Sequence, residues 1–107
     1  MIYSLHFLPQ VEQDVFGGFA WYESKSPGLG EEFLRIFYAC AGEISHSPLL
    51  YPIVHKEFRR RLLRRFPYAL YFRIEDNRII VFGLFHCARG PRTIRTQLRN
   101  RDEPKTS

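Results

Sequence analysis

A chain of 107 residues, 45% hydrophobic and 16% aromatic, suits one globular domain with a modest core. No run approaches the ~18 consecutive apolar residues of a membrane-spanning helix, and Met1–Phe7 lacks the basic start and cleavage site of a secretion signal, so a cytoplasmic protein with no membrane association is expected. The net charge of +5 divides unevenly: residues 1–55 carry Lys25 and Arg35 against six acids, a net −4, whereas residues 56–107 carry fourteen cations against five acids, a net +9. Such a split points to an acidic protein partner or a polyanion. The cations are nearly all arginine, whose planar fork suits carboxylates and phosphates. Cys40 and Cys87 suit neither a disulfide framework nor a metal pair, and His6, His46, His55 and His86 are scattered, so no metal or cofactor is expected.

Residues 2–8 alternate as an opening strand. Pro9 suits the first position of a helix, and Val11, Val15, Phe19 and Tyr22 make a helical stripe. Gly17 and Gly18 interrupt it at a cost of roughly 1 kcal/mol each against alanine, so this helix depends on packing or bends there. Ser24–Gly28 is a turn, with Ser26 as a helix cap and Pro27 after it. The second helix is the best defined: Leu29, Phe33, Ile36, Phe37, Cys40 and Ile44 share one face, Glu31 and Glu32 favour its positive end, and Ser47-Pro48 stops it.

Beyond Pro52 the apolar period falls to two, giving strands near 53–57, 58–66, 68–75 and 78–86. Glu75–Arg78 is a hairpin turn. Ile79–Phe85 is apolar on both faces and reads as a central strand. The order predicts an α+β fold, β-α-α-β-β-β with a further short strand, in which an N-terminal helical hairpin packs on a curled, mainly antiparallel sheet. Residues 1–96 form the domain, and 97–107 read as a polar, frayed tail.

All arginines but Arg35 follow Phe58. With one sheet face packed on the helices, Phe58, Leu62 and Phe66 should point inward, leaving Arg59, Arg61 and Arg65 on the open face and Arg60 and Arg64 near edges or paired with acids. Arg89, Arg92 and Arg95 would extend that surface. His86 ends the central strand near Arg89, so His86 with Arg65 and Arg89 is a candidate constellation for acid–base cleavage of a phosphodiester. The plainer alternative is a strand-end histidine bonded to a loop.

Several blocks taken together resemble a known family. Trp21-Tyr22-Glu23, Ser26-Pro27-Gly28-Leu29-Gly30-Glu31-Glu32-Phe33, Arg65–Arg73 and His86-Cys87-Ala88-Arg89-Gly90-Pro91 look like the signature blocks of the RelE/ParE toxin superfamily, over about residues 2–95. The resemblance implies a type II toxin neutralised by a cognate acidic antitoxin, and the same β-α-α-β-β-β architecture. Within the superfamily, ParE-type members poison DNA gyrase, whereas RelE-type members cleave mRNA on the ribosome. The Trp-Tyr-Glu and Pro-Gly-Leu-Gly blocks and the absence of a lysine cluster before the arginine strand favour the ParE side. Gly17-Gly18 and Ile94 depart from its usual pattern. On this reading Arg59, Arg61, Arg65, Arg89, Arg92 and Arg95 bind antitoxin or target, and His86, Arg65 and Arg89 carry the nuclease alternative.

Overall fold

The computed structural model describes residues 2–103. Its elements are β1 (Ser4–Phe7), α1 (Pro9–Lys25), α2 (Leu29–His46), β2 (Ile53–His55), β3 (Phe58–Leu62), β4 (Tyr68–Glu75), β5 (Arg78–His86) and α3 (Pro91–Asp102). The strands form one sheet in the order β1-β5-β4-β3-β2. β1 runs parallel to β5, and the remaining pairs are antiparallel. The doubly apolar strand is internal as expected, because Ile79 and Val81 fill a core on one face while Phe82 and Phe85 fill one on the other.

The helical hairpin holds together through two glycines. A Cβ on Gly18 would fall 2.4 Å from the Phe33 ring, and one on Gly30 would fall 2.8 Å from Phe19. These close approaches explain why α1 runs unbroken through Gly17-Gly18: the helix packs on its neighbour where a side chain would not fit. Ser26 ends α1 instead of capping α2. The cap of α2 is Gly28, in the left-handed region at φ 89°. Its free amides are met from α1, where the Glu23 carboxylate accepts from Gly28 N at 3.0 Å and Gly30 N at 2.9 Å. The acid of the Trp-Tyr-Glu block thus anchors a helix start, while Tyr22 packs on Phe66 with ring centroids 4.7 Å apart.

The C-terminal region differs from expectation. Residues 97–102, read as part of a polar tail, complete α3, and only 104–107 of that segment lie outside the described residues. Ile94 and Leu98 are buried on the sheet against Phe58, Tyr71, Phe82 and Phe85, a burial that contributes about 1.5–3 kcal/mol per side chain. Arg101 fixes the far end. Its guanidinium donates to Asp14 Oδ2 at 2.6 Å, Asp14 Oδ1 at 3.0 Å and the Phe82 carbonyl at 2.9 Å, while Asp14 Oδ2 accepts from Leu84 N at 3.1 Å. These contacts occupy the backbone of β5 where β1 has already ended. Both sheet faces are therefore covered, by α1–α2 on one side and α3 on the other.

Candidate functional site: a basic surface beside the C-terminal helix

Covering the second face inverts the expected placement of the arginines. In the β3–β4 register Arg59 lies opposite Phe72 and Arg61 opposite Leu70, both of which belong to the core under the α1–α2 hairpin. Phe58 instead packs with Phe82 on the α3 side, Leu62 is 53% exposed, and Phe66 lies beyond the strand. The apolar trio does not share a face, because the strand stops at Leu62 and Arg65 turns the chain with φ 69°.

The arginines on the hairpin side are matched internally. Arg59 donates to the Tyr51 carbonyl at 2.7 Å. Arg61 pairs with Glu43 on α2, and Arg64 reaches the same carboxylate at 3.0 Å. Arg65 pairs with Glu32, which Arg35 also contacts at 2.6 Å. Hydrogen bonding from Arg64 holds the Glu43 carboxyl below its ordinary value, and Arg35 does the same for Glu32. On the other face Arg73 is held by Glu75 and Asp102. Arg59, Arg61 and Arg65 thus do not form the open binding face expected of them.

A different group is left without acid partners. Among the described residues no carboxylate pairs with Arg60, Arg89, Arg92, Arg95 or Arg99, all of them exposed. Arg60 points to the α3 side, since it lies opposite Tyr71. With Arg89, Arg95, His55 and Cys87 it lines a pocket of about 310 Å³ between the β2–β3 ribbon and α3. Arg89, Arg92 and Arg95 are exposed, as the sequence analysis expects of surface cations, whereas His55 was not among the expected site residues. That imidazole has its pKa lowered from 6.5 by desolvation and by the charges of Arg95 and Lys56. The available signal was a histidine two residues before a glutamate-tipped turn leading into the arginine strand.

His86 does not join these groups. Its Nδ1 accepts the Ala88 amide at 3.0 Å, and its ring meets Tyr68 edge-on with centroids 5.1 Å apart. Tyr68 also packs on Phe33, with ring centroids 5.1 Å apart; burial raises its pKa and the nearby charge of Arg89 opposes that rise. Arg89 itself lies over Phe85, and Arg65 pairs with Glu32. The bonds the structure gives His86 are those of a strand-end histidine held by its own loop.

A second concavity, of about 530 Å³, is apolar and lies between α1, α2 and the end of β1. Phe7, Phe16 and Tyr38 on its rim are 40%, 67% and 62% exposed. No helix among the described residues is long and apolar enough to cross a membrane.

No family model matches the chain. Toxin ParE2 of Mycobacterium tuberculosis is 25% identical over 92 residues, covering 85% of this chain and 88% of that protein. A chain of the chromosomal ParDE toxin–antitoxin system of P. aeruginosa superposes with a TM-score of 0.73 at 15% identity, covering 79% of this chain and 96% of that one. A free-state mutant of the E. coli toxin RelE gives 0.61 at 14% identity, covering 96% and 100%. A chain of the M. tuberculosis toxin–antitoxin complex RelBE2 gives 0.53 at 20% identity, covering 80% and 99%. The structural likenesses establish that the chain has the fold shared by these ParE and RelE toxins, and over most of its length its sequence is similar to that of ParE2.

Proposed function

We propose that the protein is the toxin of a ParE-like toxin–antitoxin pair, arresting growth by binding DNA gyrase and held inactive by a cognate acidic antitoxin. The observation that carries this reading is the set of arginines without internal carboxylates around the α3 pocket, Arg60, Arg89 and Arg95 above all. An acidic antitoxin segment supplies the anions that the chain does not provide there, and the apolar groove by α1 and α2 suits the nonpolar face of the same partner. The ParE2 relationship and the ParDE superposition support the ParE side of the superfamily. In this reading Arg59, Arg61 and Arg65 serve the fold, and Arg60, Arg89, Arg92 and Arg95 serve the partner. Reversing Arg89 and Arg95 to glutamate should weaken antitoxin binding by about 2–5 kcal/mol, measured by titration calorimetry. Undiminished affinity would refute this surface as the antitoxin's.

His55 favours a second reading, an RNA endonuclease acting on mRNA at the ribosome. A neutral imidazole among three guanidiniums can accept a ribose 2′-hydroxyl proton while the cations hold the phosphate. Induced expression followed in parallel by gyrase supercoiling and message integrity separates the two. The gyrase reading requires lost supercoiling with intact transcripts. The nuclease reading requires transcripts ending in 2′,3′-cyclic phosphate that disappear in His55→Ala.

A further inference from the structure

We infer that the exposed face of α3, with Arg60 and Arg89 beside it, is a docking surface for the phosphodiester backbone of a nucleic-acid duplex. Spacings of three and four residues set Arg92, Arg95 and Arg99 on one side of the helix, flanking the side that carries the buried Ile94 and Leu98 and the anchored Arg101. These three cations extend over about 10 Å of helix axis, a length over which a duplex carries about six phosphate charges along its own axis. Arg95 also lines the pocket that Arg60 and Arg89 share, so helix stripe and pocket are continuous.

The acids of this region do not quench the stripe. Asp102 is bound to Arg73 at 2.9 Å, while Glu57 and Glu103 are exposed at the margins, in the β2–β3 turn and after the helix. Duplex is favoured over single strand because single strands are held by stacking bases on aromatic side chains. The exposed aromatics, Phe7, Phe16, Trp21 and Tyr38, all belong to β1, α1 and α2. The outer face of α3 offers only arginine, threonine, glutamine and asparagine. Contacts of this composition read no bases, so binding is independent of sequence and steeply dependent on salt. The inference holds whether or not gyrase is the target, and it is measured without gyrase.

The test is fluorescence anisotropy of the purified full-length chain with a short labelled DNA duplex of mixed sequence. Five phosphate contacts predict a log–log salt slope of about −4.5 for the wild type, falling to about −2 in the triple variant Arg92→Gln, Arg95→Gln, Arg99→Gln. Glutamine removes an unfavourable cation at Arg92, in the first turn, and a favourable one at Arg99, in the last, and all three positions are exposed, so the variant keeps its fold, checked by circular dichroism. The control Arg64→Gln with Arg78→Gln removes two exposed arginines that are ion-paired in the fold, and it should leave the slope unchanged. Equal affinity for an RNA duplex supports backbone contact. No duplex binding at about 50 mM salt, a control as weakened as the triple variant, or tighter binding to single strands than to duplex would overturn the inference.

Discussion

Asp14 and Arg101 form a largely but not fully buried pair on separate elements, their side chains 13% and 12% exposed. Each also meets the backbone of β5, so removing either strands a charge and a peptide group together. Arg101→Ala should therefore cost about 3–5 kcal/mol in urea denaturation. The exposed Arg99→Ala, two residues earlier, should change stability by about 0.5 kcal/mol or less. His55 gives a second test at this scale. Its folded pKa lies below the ordinary 6.5, so as pH falls the unfolded chain takes up the proton first. The associated stability is complete above about pH 6.5 and is lost as pH falls through the folded value, and His55→Gln should remove this step from the stability–pH curve. A curve unchanged by the substitution would contradict the partial burial of His55 and the influence of the Arg95 charge.

At the level of elements, two adjacent glycines of α1 differ in sign. A Cβ at Gly18 collides with the fully buried Phe33 ring, whereas one at Gly17 meets nothing within 4 Å. Gly18→Ala should destabilise by about 1–3 kcal/mol, and Gly17→Ala should stabilise by about 1 kcal/mol, both read from melting curves. The apolar periods made the helical hairpin, the β4–β5 hairpin and the central position of β5 legible in the sequence, because each carries enough apolar residues to declare its faces. Helix α3 was not, since only Ile94 and Leu98 mark its buried side within a run of cations. Gly90-Pro91 and the four-residue spacing of that pair were the signals to weigh. Missing α3 also misdirected β3: with one face assumed open, Phe58 had no core to enter on that side, and Arg59 and Arg61 were sent outward. Glu43 and Glu32, on the polar flank of α2, were the unrecognised partners of Arg61 and Arg65.

Across the described residues the arginines, apart from Arg59 on the Tyr51 carbonyl, divide into two populations. One is consumed in holding the sheet to α1–α2 and α3 to the sheet, through Glu32, Glu43, Glu75, Asp102 and Asp14. The other lies on the α3 side without internal carboxylates and is the surface proposed for a partner. The net charge of the second half reflects both, which is why composition revealed a basic surface but not its members. The depressed pKa values of Glu32 and Glu43 add a consequence for the whole fold. Their contributions are present above the ordinary glutamate value of 4.5 and disappear as pH falls through the folded values. Acid should loosen the β3–β4 turn from α2 first, measurable as amide exchange at Leu63 and Phe66.

Relief of growth arrest by the co-expressed antitoxin tests the division most directly, in Arg89→Gln with Arg95→Gln at a melting temperature that matches the wild type. Arrest that the antitoxin no longer relieves is the predicted result. Relief as complete as the wild type's would contradict the proposed assignment of these arginines to the partner.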